Sequence, residues 1–178
     1  MDRANSVNTM LEIRDLKVAF RSVVGTTRAV NGLNLDVRQG EIVGLVGESG
    51  CGKSVTARSV LGLVPAPPVV YEGGEIWLDT GNGKVEMLSL LRNERQLRRV
   101  RGRVVSMIFQ EPIRSLHPMM TIGSQISEGI LTHEAASCKS AVERTVEMLQ
   151  LVGLPQAEKL LTRYPHELSG GMRQRVMI

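Results

Sequence analysis

Eight consecutive residues, Gly47-Glu48-Ser49-Gly50-Cys51-Gly52-Lys53-Ser54, combine the residue types from which chemistry can be argued most directly. Their spacing is G-x-x-x-x-G-K-S, with glycines that let the backbone turn sharply and come close to an anion. Lys53 adds a positive charge on a long stem, and Ser54 a hydroxyl suited to a magnesium ion. A loop of this kind holds a chain of phosphates when it enters a helix, because the first N–H groups of a helix have no partner of their own and point at one spot. The reading is a nucleotide held by the loop amides, with Lys53 on the β- and γ-phosphates and Ser54 on Mg²⁺. The alternative is a glycine-rich turn that binds nothing.

The flanking residues must supply that context. Ile42, Val43, Leu45 and Val46 form a short apolar run, which predicts a strand buried on both faces. Val55, Ala57, Val60, Leu61 and Val64 recur at helical spacing behind the loop. The motif is therefore expected between a strand and a helix. With 178 residues the chain can bury one sizeable core, and its composition is that of an ordinary globular protein. A net charge of +4 permits contact with anions without specifying one, and 3% aromatic residues argue weakly against base stacking. Cys51 and Cys138 lack metal-ligand spacing, which fits a reducing compartment. Alkylation of Cys51, inside the loop, is expected to block nucleotide binding. No apolar run is long enough to cross a bilayer, and the polar start MDRANSVNTM lacks a signal-like apolar region, so the chain is expected neither to span a membrane nor to be secreted by itself.

Along the chain, the first nine residues are expected to be loose. Leu11, Ile13, Leu16, Val18 and Phe20 alternate across a one-residue slip at Arg14-Asp15, a strand with a bulge. Gly25-Thr26-Thr27 marks a turn, Leu33, Leu35 and Val37 a second strand, and Arg38-Gln39-Gly40 the turn into the loop strand. Prolines at 65, 67 and 68 are expected to stop the loop helix. Ile76 and Leu78 face Val85 and Met87 across Thr80-Gly81-Asn82-Gly83, a hairpin. Ser89 is expected to cap a helix to about Val100, and Arg103 to Phe109 to form another short apolar strand. Thr121 caps a helix with Ile122, Ile126 and Ile130 on one face. A later helix carries Val142, Val146 and Leu149 and ends near Gly153-Leu154-Pro155.

The tail, Leu168-Ser169-Gly170-Gly171-Met172-Arg173-Gln174-Arg175, is the second informative stretch. Ser169 can cap a helix whose first residues, Gly170 and Gly171, leave N–H groups open to close approach, a second anion site. LSGG followed by Q-R, together with the phosphate loop and Phe109-Gln110-Glu111-Pro112 in the same order, resembles the ATP-binding cassette ATPases. AVNGLNLDVRQGEIVGLVGESGCGKS, SMIFQEP and YPHELSGGMRQRVMI are most similar to ATPase subunits of importers in the oligopeptide, dipeptide and nickel class. The resemblance covers nearly the whole chain. It implies an α/β fold: a P-loop NTPase core with a mixed sheet, an N-terminal antiparallel β layer and a helical insertion. Residues 1–111 would form the core, 112–167 the helical subdomain and 168–178 the signature and the start of its helix.

The same resemblance implies ATP and Mg²⁺ as cofactors and a head-to-tail pair with itself or a homologous ATPase subunit. In that pair Ser169, Gly170 and Gly171 meet nucleotide held by the opposing loop. Transmembrane permease subunits and, indirectly, an extracytoplasmic solute-binding protein are the other implied partners. The expected location is peripheral, on the cytoplasmic face of the inner membrane, with no nucleic acid. Gln110 resembles the family glutamine that reaches metal and attacking water; otherwise it is a polar strand end. Val104 to Phe109 followed by Gln110-Glu111 also resembles the apolar run that carries catalytic carboxylates, but Gln110 stands where the metal-binding Asp would be. Phe20 falls where relatives stack a ring on adenine, and reads equally as a strand-end core residue. His166 does not match the family's switch histidine, and His117 and His133 have no metal-type partners. Arg92, Arg95, Arg98, Arg99, Arg101 and Arg103 form a solvated helix face or, as the alternative, touch phosphates of nucleic acid.

The family's Asp-Glu strand and switch histidine are absent up to Ile178, so the expectation is a partial chain that is unstable and nearly inactive as an ATPase. Three readings follow: an ATP-hydrolysing subunit powering uptake of peptides or related small solutes, a non-catalytic nucleotide-binding remnant, and a cassette ATPase of DNA repair or chromosome organisation.

Overall fold

A computed structural model describes residues 8–109 and 115–178. The chain divides into two compact units, residues 1–106 and 107–178. In the first unit, β1 (Thr9–Ser22), β2 (Gly25–Arg38), β3 (Val69–Asp79) and β4 (Lys84–Glu86) form an antiparallel sheet in the order β2-β1-β3-β4. The slip at Arg14-Asp15 is a β-bulge: register shifts between Ile13 and Leu16, and Asp15 takes φ +44° while its N–H donates to the side chain of Asn34 at 2.9 Å. The bulge lets Ile13, Leu16 and Val18 all reach the core, where they are fully buried beside Ile76 and Met87.

Of the first nine residues, expected to be loose, Thr9 already belongs to β1 and the Asn8 carbonyl accepts from Gln39 N–H at 2.9 Å, while residues 1–7 lie outside the described residues. The β1–β2 turn lies at Val23-Val24, two residues before the glycine that signalled it, with Ser22 Oγ accepting from Val24 N–H. Val23 and Val24 stand exposed at the tip. The second hairpin follows expectation, with Leu78 opposite Val85 and Thr80 N–H donating to the Gly83 carbonyl.

The largest departures concern the two apolar runs beside the phosphate loop. Ile42 to Val46 joins no ladder, and Ile42 and Val46 are 99% and 90% exposed. Arg103 to Phe109 likewise forms no strand, and its vicinity holds only a single bridge between Arg101 and Val105. A doubly buried strand needs hydrogen-bonded neighbours and layers on both faces. The described strands all pair within the antiparallel sheet, so neither run has a partner among them. The antiparallel layer of the expected mixed sheet is thus present, and its parallel part is not formed by these residues.

The loop helix α1 (Lys53–Val60) ends before the prolines. Gly62 takes φ +61°, its N–H donates to Ser59 O and that of Leu63 to Arg58 O, the paired bonds of a Schellman stop. Within α1 the buried face is Thr56, Ser59 and Val60; the two hydroxyls donate to the carbonyls one turn back. The expected helix from Ser89 is split. Ser89–Arg92 is a 3₁₀ turn whose first residue bonds back to Glu86, and Asn93 caps α2 (Glu94–Val100) by accepting from Gln96 N–H. Asn is a strong N-cap residue and interrupts the run.

The second unit contains α3 (Ile122–His133), α4 (Cys138–Leu151), α5 (Ala157–Leu160) and α6 (Gly170–Met177). Thr121 caps α3 as expected, accepting from Ser124 N–H at 3.3 Å, and Ile122 and Ile130 are buried. Helix α4 buries Ala141, Thr145 and Leu149, a face one step from the expected one, leaving Val142 43% exposed. Thr145 can sit there because its hydroxyl donates to Ala141 O and meets Ser127 Oγ at 3.0 Å. Ile122, Leu149, Leu154, Leu160 and Leu168 close this unit's core. No helix among the described residues is long and apolar enough to cross a membrane.

Candidate functional site

The phosphate loop enters α1 through Gly52, the N-cap residue, at φ +95°. A Cβ there would lie 2.3 Å from the carbonyl oxygen of Ala29, so only glycine fits both the dihedral and the close passage of β2. The N–H groups of Gly50, Gly52, Lys53 and Ser54 have no backbone acceptor among the described residues, which leaves them open to an anion. Cys51 N–H closes the loop on Glu48 O at 3.3 Å. Beside it lies a cleft of about 300 Å³, lined by Ala29 to Leu33, Leu45, Val46, Cys51, Gly52, Lys53 and Thr56.

Lys53 occupies the loop's own hollow. Its ammonium donates to the carbonyls of Gly47 at 2.7 Å and Glu48 at 2.6 Å, and lies 3.4 Å from Cys51 Sγ. The cation thus neutralises carbonyl dipoles turned toward the site, and a phosphate chain offers it stronger, charge-assisted partners at little displacement. Ser54 is exposed and its hydroxyl has no hydrogen-bond partner among the described residues, so it is free to meet an ion. A magnesium ion bound mainly through phosphate oxygens and water needs only one or two protein oxygens, a demand that Ser54 fits. Glu48 and Ser49 are exposed on the loop, and Cys51 presents its thiol to the cleft.

Phe20 is half-buried against the first unit's core and does not line the cleft. Gln110, with its neighbours Glu111 and Pro112, lies outside the described residues. The arginine segment is mostly solvated: Arg92, Arg95, Arg99 and Arg103 are exposed, and Arg98 reaches Glu94 at 3.6 Å. Arg101 differs, and sequence reasoning did not single it out. It turns inward to the carbonyls of Leu61 and Gly62, at 2.7 Å each. The one available signal was its position directly after an apolar helix end, before Gly102.

In the second unit Ser169 caps α6, its Oγ accepting from Met172 N–H at 3.3 Å. Gly170 and Gly171 are exposed, and space is open where a Cβ would stand on either. The approach to this helix is held by a box in which Glu167 accepts from Tyr164 N–H at 2.7 Å and from Arg163. The Tyr164 N–H bond, with the Arg163 guanidinium second, holds the Glu167 carboxyl below its ordinary range. His166 stacks on Tyr164 with ring centres 5.6 Å apart. His117 accepts from Met119 N–H and His133 ends α3; no cluster of metal-ligating side chains occurs among the described residues.

Comparison with known proteins supplies the rest. The sequence profile of the ABC transporter family matches residues 30–178. The chain is 44% identical over 172 residues to the oligopeptide transport ATP-binding protein OppD of Bacillus subtilis, covering 97% of this chain and 46% of that protein. It is 47% identical to a probable peptide ABC transporter ATP-binding protein of Sinorhizobium fredii, y4tR, covering 95% of this chain and 49% of that protein. The chain spans about half the length of these curated relatives. Among solved structures, the dimeric ATP-binding cassette MJ0796 bound to ADP and phosphate superposes with a TM-score of 0.75 at 23% identity, over 94% of this chain and 67% of that one. That likeness establishes the fold.

Proposed function

Since this chain belongs to the ABC transporter family, we propose that it is the ATP-binding part of a subunit whose ATP hydrolysis energises uptake of peptides or related small solutes. The observation that carries the reading is the loop itself: free amides at the start of α1 with the Lys53 ammonium already inside the hollow they line. Lys53 and the loop from Gly47 to Ser54 hold the phosphates, and Ser54 with Gln110 meets Mg²⁺. When bound, the ion screens the charge that develops on the phosphates. Residues 1–111 hold the nucleotide, 112–167 form the helical subdomain, and Ser169, Gly170 and Gly171 present the start of α6 to nucleotide on an opposing copy or homologous subunit. The names of the relatives, which include oligopeptide, peptide and dipeptide transport proteins, support the solute class. Permease subunits and a solute-binding protein are the further partners, and the cytoplasmic membrane face is the site of action.

Turnover by this chain alone is proposed to be slow. The groups lining the cleft are suited to hold phosphate, and among the described residues no carboxylate or imidazole lines it to draw a proton from water. Calorimetry with Mg·ATP on the chain and on Lys53→Ala is the test. Saturable heat that the substitution removes is expected; no heat from the folded chain, or equal heat from both, rejects the reading.

A further inference from the structure

The helix that presents Lys53 and Ser54 has eight residues, about two turns. A helix so short does not hold its own direction, so its placement depends on its packed face, Thr56, Ser59 and Val60, and on what grips its ends. Its first end is gripped by Gly52 against Ala29. Its far end is gripped by a side chain from another element.

We propose that Arg101 is a positioning residue for the nucleotide site, acting through α1. Its Nε donates to Leu61 O and its Nη2 to Gly62 O, each at 2.7 Å, so one planar guanidinium spans two consecutive carbonyls at the negative end of the helix. Its own backbone N–H closes the last turn of α2 on Leu97 O at 2.8 Å, and Nη1 lies 3.4 Å from Glu94 of the same helix. The fork therefore ties α1 to α2. The close fit around it is evident at Gly62, where a Cβ would stand 2.7 Å from Leu91 Cδ2 and 3.3 Å from Arg101 Nη2. Of the six arginines in this segment, Arg101 is the one turned inward, with a side chain 22% exposed against 76% for Arg98. Releasing the clamp lets the far end of α1 swing, and the amides of Lys53 and Ser54 then meet the phosphates from a spread of directions.

This role rests on the nucleotide reading given above, and the experiment separates the two. Amide hydrogen exchange across residues 53–60 is measured without nucleotide, and Mg·ATP affinity by fluorescent-analogue titration, on the full chain and on Arg101→Met and Arg101→Lys, at a temperature where circular dichroism shows all three folded. Arg101→Met is expected to speed exchange in α1 while α3 and α4 keep their protection, and to weaken Mg·ATP binding about tenfold, the size of one charge-assisted contact. Arg101→Lys, which keeps the charge on a shorter stem without the planar fork, is expected to fall between. Unchanged exchange in α1, or faster exchange with undiminished affinity, overturns the clamp. Absence of binding by the unsubstituted chain overturns the functional reading and this role with it.

Discussion

The Lys53 ammonium lies 2.7 Å from the carbonyl oxygen of Gly47, six residues behind it in the chain. The cation proposed to bind phosphate thus closes its own loop, joining the first glycine of the motif to the start of α1. Lys53→Ala therefore removes a phosphate partner and a loop closure together. Mg·ATP affinity should fall at least about tenfold, as for loss of a charge-assisted bond. Lys53→Arg should not restore it, because the longer, bulkier guanidinium does not fit the hollow that the compact ammonium fills. Titration with a fluorescent nucleotide measures both, and wild-type affinity in either variant contradicts the geometry.

Gly52 is the position where the loop tolerates least. Gly52→Ala puts a Cβ 2.3 Å from Ala29 O at a dihedral that only glycine adopts readily. A loss of about 2 kcal/mol or more is expected from the strained backbone alone. Urea unfolding of the variant, followed by the circular dichroism of the first unit's sheet, would show an unshifted midpoint if this is mistaken.

Cys51 faces the cleft and lies 3.4 Å from Lys53 Nζ. An alkyl group on its sulfur occupies space beside the phosphates, so labelling with N-ethylmaleimide should abolish Mg·ATP binding, and bound nucleotide should protect the thiol. Cys51→Ser should bind nucleotide and resist the reagent. Labelled protein that still binds as before excludes this placement of the thiol.

The box before α6 carries a pH signature. The Glu167 carboxyl titrates below its usual value of 4.5 because the Tyr164 N–H and the Arg163 guanidinium favour the charged form. A carboxyl depressed in the folded state contributes stability above its unfolded value and loses it as pH falls through the folded one. The Tyr164 amide resonance should therefore follow a titration whose midpoint lies below 4.5. Glu167→Gln should abolish that low-pH step; a midpoint above 4.5, or a step that survives the substitution, contradicts the box.

Ser169→Ala should cost about 1 kcal/mol of stability in the second unit, the usual worth of an N-cap hydroxyl. Ser169→Asn should restore most of it. The melting temperature of the two variants checks this, and equal values for alanine and wild type would mean the Met172 N–H has found another acceptor.

The family was legible from three short motifs, and the start of α1 after the glycine-rich loop and the caps at Thr121 and Ser169 because each depends on residues within a few positions of one another. So was the bulge at Arg14-Asp15, since a slipped alternation needs no distant partner to be seen. The sequence could not say that Ile42 to Val46 would stay unpaired, because apolarity records a readiness to be buried and only neighbouring strands realise it. Nor could it say that α4 buries Ala141 and Thr145 rather than Val142, a choice made by Ser127 on the facing helix. The inward turn of Arg101, alone among six arginines, was likewise decided by two carbonyls about forty residues earlier in the chain. Local chemistry is written in order along the chain, whereas burial and the aim of a long side chain depend on what folding brings beside it.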